Sequence, residues 1–181
     1  MREYVTDAIV LKRDSSGEYD ERVCLYTKQY GGLDVRVIGS RKPLSKFSPH
    51  LDVLNLVTIR MVRKNSYTLT DAYTTDRFVP LRHKSAGLGK ALELVALLAL
   101  LVPREQPDTR LWHTLLRAFR ESVISNGTFL TILGYNPRHA KCDACGNERV
   151  AYFFTPQHSF ACEVCGSGVR ESDRIALTHA A

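Results

Sequence analysis

Two Cys-x-x-Cys pairs, Cys142/Cys145 and Cys162/Cys165, are separated by sixteen residues, Gly146 to Ala161, and each pair is followed by glycine. A Cys-x-x-Cys turn aims two sulfurs at one point, so two turns at this spacing supply four thiolates for one tetrahedral Zn2+. Four thiolates leave no open coordination position, which makes the expected ion structural. Disulfides use the same even set of cysteines. A redox Cys-x-x-Cys belongs at a strand-to-helix junction, and none is legible here. His139 and His158 are spare ligands only if a cysteine fails, and as loop residues they read first as solvent-exposed. Residues 138–169 have the layout of a zinc ribbon: a knuckle, a strand over 149–155, a turn at Pro156-Gln157-His158, a short strand and a second knuckle. Tyr152, Phe153, Phe154 and Phe160 are expected to cover the metal, because so small a lobe has little other apolar material; base stacking is their functional alternative.

A metal lobe of this size leaves most of the 181 residues to be folded otherwise, and a composition of 44% hydrophobic and 24% charged residues is that of a globular chain. Met1-Arg2-Glu3-Tyr4 carries charge at once with no apolar h-region, so the chain reads as cytoplasmic. The longest apolar run, 91–102, is interrupted by Glu93 and falls short of the ~20 residues needed to cross a bilayer. Asn126-Gly127-Thr128 matches a glycosylation sequon but reads as a helix break, and Cys24 reads as a small core hydrophobe.

Residues 4–13, 20–28, 33–39, 51–63 and 67–79 are five runs rich in Val, Ile, Leu, Thr and Tyr, separated by Ser15-Ser16-Gly17, Tyr30-Gly31-Gly32 and other turn residues. Leu33, Val35 and Val37 alternate with Asp34 and Arg36, so Arg36 is expected to face outward. Five short strands must close or cover their edges, and a Greek-key barrel of the OB type does so; an SH3-like barrel is the rival. After Pro80 the pattern turns helical. Ser85 is expected to cap a helix that is apolar on nearly every face, ending at Pro103. Pro107-Asp108 opens a second helix with Leu111, Leu115, Ala118, Phe119 and Val123 on one face, and a shorter segment follows over 128–133. The expected fold is therefore α+β and multidomain: an OB-type β-barrel (1–80), a small helical bundle (81–137), and a zinc module with a C-terminal tail (138–181).

No catalytic constellation emerges, neither a nucleophile elbow, nor His-Glu-x-x-His, nor an open metal site, so the chain reads as non-enzymatic. Gly87-Leu88-Gly89-Lys90-Ala91 fails as a phosphate loop, because the pattern needs glycine where Lys84 stands and Ser or Thr where Ala91 stands. Charge is more telling. The formal net charge of the chain is +6, and Arg36, Arg41, Lys42, Lys46, Arg60, Arg63 and Lys64 against the single acid Asp52 place +6 within residues 36–64. On a barrel these seven residues are the candidate nucleic-acid-binding set, tracking phosphates with little sequence preference; a merely solvated basic face is the alternative. Tyr26, Phe47, Tyr67 and Tyr73 are candidate stacking platforms.

Ala8-Ile9-Val10-Leu11-Lys12, Gly17-Glu18-Tyr19-Asp20, Leu25-Tyr26-Thr27, Gly31-Gly32, Gly39-Ser40-Arg41-Lys42 and Ser45 are followed by a leucine-rich helical part. Leu133-Gly134-Tyr135-Asn136-Pro137 and Cys142-x-x-Cys145-Gly146 come next. In that order they resemble the RecO family of bacterial DNA repair proteins, over nearly the whole chain. The resemblance implies an OB barrel that binds single- and double-stranded DNA, most directly through Arg36, Arg41, Lys42 and Lys46. It also implies a helical domain and, in members that keep the ligands, zinc on Cys142, Cys145, Cys162 and Cys165. It further implies annealing of complementary strands and, with RecR, loading of RecA on DNA coated by single-stranded-DNA-binding protein, in the bacterial cytoplasm at the nucleoid. The helical region is short for that family, as in a naturally reduced member or an incomplete chain. A protein-interaction adaptor and an RNA-binding factor that uses an OB barrel and a zinc ribbon are the rival readings.

Overall fold

A computed structural model describes residues 2–170 and 173–177. The chain forms two compact units, Met1–Ser122 and Val123–Ala181. This packing boundary does not coincide with the composition changes near residues 80 and 137.

In the first unit β1 (Arg2–Ser15), β2 (Glu21–Thr27), β3 (Gly31–Val37), β4 (Leu56–Arg63) and β5 (Tyr67–Asp76) close a barrel in the order β1-β2-β3-β5-β4. Every seam is antiparallel except β3–β5, which is parallel with Val35 opposite Tyr67 and Arg36 opposite Thr68. That parallel seam is the OB connectivity and removes the SH3-like alternative. β1 pairs with β4 along Arg2 to Ile9 and with β2 along Ala8 to Ser15; a register shift between Val10 and Lys12 lets one strand serve both neighbours. The barrel interior is filled by alternate residues, among them Val10, Val23, Leu25, Leu33, Val35, Val37, Ile59 and Met61. Each such side chain contributes roughly 1.5–3 kcal/mol by leaving water.

The fourth strand begins later than expected. Residues 51–55 are a turn in which Leu51 and Leu54 are fully buried, and Leu54 has φ 77. The Leu54 amide donates to the Val10 carbonyl (2.9 Å) and the Val10 amide to the Asn55 carbonyl (3.1 Å), so backbone bonds to the β1 irregularity hold that conformation. Apolar content here serves to close the barrel end, not to extend a strand. The fifth strand ends at Asp76, whose Oδ1 accepts the Phe78 amide at the start of α1 (Val79–His83).

Helix α2 spans Ser85–Leu101, with Ser85 inside it and Lys84 at the cap position making no side-chain cap bond. Only one face of α2 is buried, through Ala91, Leu94, Val95, Leu97 and Leu98, while Leu92 and Leu100 are exposed. Although apolar on nearly every face, the helix packs against β1 through a single stripe. Helix α3 (Thr109–Glu121) opens as expected, with the Asp108 carboxylate accepting the Leu111 amide. Val123 is exposed because Ser122, at φ 56, has already ended the helix. No helix among the described residues is long and apolar enough to cross a membrane.

In the second unit Asn126-Gly127-Thr128 begins α4 (Asn126–Ile132) where a break was expected. A three-stranded sheet has the order β7-β6-β8, from β6 (Tyr152–Phe154), β7 (Ser159–Ala161) and β8 (Arg174–Ala176), with the short helix α5 (Glu163–Gly166) after β7. β8 was not anticipated, and residues 178–181 of the expected tail lie outside the described residues.

Candidate functional site

Cys142, Cys145, Cys162 and Cys165 converge with all four Sγ atoms within 4.8 Å of one another. The Cys145–Cys162 separation is 3.7 Å, far beyond a disulfide bond and close to the ~3.8 Å that Zn–S bonds of about 2.3 Å impose at tetrahedral angles. Each knuckle is built by local bonds. The Gly146 amide donates to the Cys142 carbonyl (2.8 Å), and the Gly166 amide to the Cys162 carbonyl (2.9 Å). The two glycines serve different ends: Gly146 takes φ 74, whereas a Cβ on Gly166 would overlap the Tyr152 ring. Asp143 ties the first knuckle to the sheet by donating to the Phe160 carbonyl.

The donor chemistry fits a thiophilic dication. Backbone donation from Cys162, with further amides of the first knuckle, pushes the Cys142 thiol down to about 6, while the Cys162, Cys145 and Cys142 side chains push Cys165 up to about 12. Four clustered thiols cannot all ionise against one another, and a bound dication supplies the compensating charge. Phe154 packs against the cysteines, Phe153 is fully buried, and Phe153 and Phe160 meet edge to face at 5.2 Å, so these rings are core. His158 bonds the Tyr135 hydroxyl at 2.8 Å and belongs to no metal-holding group among the described residues.

On the barrel the seven expected cations are all exposed. Arg36 faces outward from β3 and makes a two-nitrogen contact with the Asp20 carboxylate (2.7 and 3.2 Å), which also accepts the Gly39 amide. Together these bonds hold the Asp20 carboxyl below its usual range, the Gly39 amide contributing most. Arg41 and Lys42 lie beside this point: the Arg41 amide donates to the Tyr19 carbonyl, and the Lys42 ammonium sits over the Tyr19 ring. Lys46 reaches Asp71 (3.5 Å), Arg60 reaches Glu3 (3.4 Å) and Arg63 reaches Glu105 (3.0 Å), while Lys64 has no ion pair among the described residues. Four of the seven are therefore already paired with acids.

The outer face of β2–β3 is divided. Gly32 forms a bridge to Arg104; the Glu105 amide donates to the Gly32 carbonyl and the Gly32 amide to Pro103. This strap, residues 103–108, also bonds the Tyr26 hydroxyl through Asp108, and Arg104 covers Cys24 (3.2 Å) and pairs with Asp34 (3.4 Å). Cys24 is thus buried, as expected of a small core hydrophobe, and it is covered by the strap on the outer face. The other end of the face stays open and carries Arg22 directly opposite Arg36. Arg22 was missed because its sequence neighbours are acidic; its cross-strand position could not be read along the chain. Its guanidinium has no partner among the described residues, whereas like charges set opposite each other in a sheet are unfavourable without a counter-ion.

Comparison with known proteins finds similar chains. Residues 1–78 match the family model described as recombination protein O N terminal. The chain is 29% identical to the DNA repair protein RecO of Roseiflexus sp. (strain RS-1), over 97% of this chain and 65% of the relative. It is 28% identical to that of Thermodesulfovibrio yellowstonii, over 93% of this chain and 72% of the relative. It is also 28% identical to that of Myxococcus xanthus, over 98% and 78%. The chain thus spans about two thirds to three quarters of the length of these relatives. The closed OB-type barrel lies within the matched N-terminal residues, and the chain is similar to DNA repair proteins RecO over most of its length.

Proposed function

We propose that this protein is a non-enzymatic DNA-binding factor of DNA repair and recombination that binds single- and double-stranded DNA on the barrel and anneals complementary strands. The observation that carries this reading is the open, basic end of the β2–β3 face, where Arg22 and Arg36 stand opposite each other beside Arg41 and Lys42. Such a surface neutralises phosphates while leaving base edges free, and lowering the repulsion between two strands is what annealing requires. Lys46, Arg60, Arg63 and Lys64 extend the set once DNA displaces their acidic partners. Following its relatives, the protein would act with RecR to load RecA on DNA coated by single-stranded-DNA-binding protein, in the cytoplasm.

Cys142, Cys145, Cys162 and Cys165 would hold one Zn2+ whose part is structural: it joins the two knuckles and contributes folding free energy to the second unit. Four sulfur donors without an oxygen or an open position support zinc over magnesium or calcium.

The test is a strand-annealing and binding assay with DNA and RNA at several salt concentrations. If about four phosphates are contacted, log K against log[salt] should slope by roughly −3 for single strands. The pairing of four cations with acids favours the adaptor reading. A flat salt response, or binding unchanged by Arg41→Ala with Lys42→Ala, would decide for it.

A further inference from the structure

Of the four aromatic residues that the sequence offers as stacking platforms, Tyr26, Phe47 and Tyr67 are buried, at 1%, 9% and 7% exposure, whereas Tyr73 is 72% exposed. Tyr73 projects from the outer face of β5, and its ring stacks on His50 at 5.8 Å between centroids and 26° between planes. His50 is fixed in turn. Its Nδ1 accepts the Thr74 amide (3.2 Å) and lies 2.9 Å from the Thr74 hydroxyl; its own amide donates to Phe47 and its carbonyl accepts from Asn55. The loop bearing His50 is anchored by Phe47 and Leu51 in the barrel core. Tyr73 is thus a large ring backed by a second, immobilised ring, with most of its surface left to solvent.

Strand register places charge beside it. Asp7, Thr58 and Tyr73 form one row across β1, β4 and β5, and Val5, Arg60 and Asp71 form the next. The rows are two residues apart, about 7 Å along the strands. Lys46 extends the second row by its contact with Asp71 at 3.5 Å. One row therefore offers an exposed aromatic face beside the Asp7 carboxylate, which accepts the Thr58 hydroxyl; the other offers two cations, Arg60 and Lys46, either side of Asp71, with Glu3 3.4 Å from Arg60.

We propose that Tyr73 is a stacking platform for an unpaired nucleobase, with Arg60 and Lys46 taking the phosphate of the same nucleotide, so that this face of β4–β5 discriminates single strands from duplex. Duplex bases are already stacked and cannot reach the ring, whereas a splayed base can, and every base has a face that stacks without sequence preference. The proposal rests on the DNA-binding reading given above.

The experiment uses the full chain with an oligothymidylate and a mixed-sequence duplex, following binding by anisotropy of labelled DNA and stacking by tryptophan fluorescence. Trp112, the only native tryptophan, is 3% exposed and provides a constant background that is measured in the unsubstituted protein. Tyr73→Trp should be quenched by the saturating single strand and not by duplex. Tyr73→Ala should weaken single-strand binding about 5- to 150-fold, the range for losing one base–aromatic stack, and duplex binding less than about twofold. Tyr73→Phe should restore single-strand binding, because the ring and not the hydroxyl is used. An unquenched Tyr73→Trp protein that still binds the oligothymidylate, or equal weakening of both DNAs by Tyr73→Ala, overturns the platform and leaves the DNA-binding reading standing. If the unsubstituted protein binds neither DNA, both fall together.

Discussion

The peptide of Gln106 lies so close over Gly31 that a Cβ at residue 31 would overlap the Gln106 carbonyl, and Gly31 itself adopts φ 68. The Gly31-Gly32 pair therefore answers two requirements at once: a left-handed turn into β3 and the close passage of residues 103–106 across the barrel. Gly31→Ala should destabilise the first unit by roughly 2–4 kcal/mol, combining the left-handed penalty with the overlap. Gly17→Ala separates the two effects, since Gly17 has φ 83 and open space around its Cβ position, and should cost only about 1–2 kcal/mol. Urea unfolding followed by Trp112 fluorescence reads both.

How much of this was visible in the sequence depends on whether a contact is local. The alternation of Leu33, Asp34, Val35, Arg36 and Val37, the Asp108 cap and the cysteine spacing are short-range patterns, and each folds as read. The turn at 51–55 was misread because Leu51 and Leu54 are apolar for burial's sake, and only the bonds to Val10 show that they are not in a strand. The strap over Gly32, the acids facing Arg36, Lys46, Arg60 and Arg63, and Arg22 across from Arg36 depend on contacts that only the closed barrel creates.

Glu105 on the strap is predicted to compete with phosphate for Arg63. The Arg63 guanidinium lies over the Tyr67 ring (4.8 Å to its centroid) and donates to the Tyr67 hydroxyl and the Glu105 carboxylate, each at 3.0 Å, so it is well positioned but neutralised. Glu105→Gln should tighten DNA binding by about two- to fivefold at low salt and steepen the salt slope by up to about 0.9. A double-mutant cycle isolates the cause: the gain should vanish in an Arg63→Ala background, whereas a general field effect would persist.

Acid should loosen the open end of the β2–β3 face. The folded Asp20 carboxyl is held below its usual value, first by the Gly39 amide and then by Arg36. Its contribution is therefore complete above the ordinary carboxylate range and is lost as pH falls through the lowered folded value. Glu21, paired with Arg13 at 2.8 Å, is also lowered despite the opposing effect of burial, its largest influence, and has the same sign. Urea midpoints measured from pH 7 to 3 should fall in this window, and Asp20→Asn should flatten part of the decline.

Metal removal should act on the second unit alone. A strong chelator, or Cys142→Ser, should abolish stoichiometric Zn2+ binding and unfold residues of β6, β7 and α5, because beyond the metal the knuckles are joined only by a small apolar cluster and the Asp143–Phe160 backbone bond among the described residues. Trp112 belongs to the first unit, so its fluorescence should stay native. Loss of metal with selective loss of DNA binding by a well-folded protein would move the binding site to the cysteine lobe.

Arg22 should show binding and stability changing in opposite directions. It stands directly across from Arg36, and on its other side from Asp14, which is engaged by Lys12 at 2.8 Å. Arg22 makes no ion pair among the described residues, and substitution removes its cross-strand repulsion with Arg36. Arg22→Ala should therefore raise stability by roughly 0.2–1 kcal/mol. The same change should weaken DNA binding several-fold and reduce the salt slope by about 0.7 for single strands, one phosphate contact fewer. Chemical denaturation and salt-dependent anisotropy on one preparation measure both. A residue kept only for packing or solubility would not lose binding while gaining stability, so opposite signs would identify Arg22 as a phosphate contact that strand register, and not the run of charge along the chain, places beside Arg36.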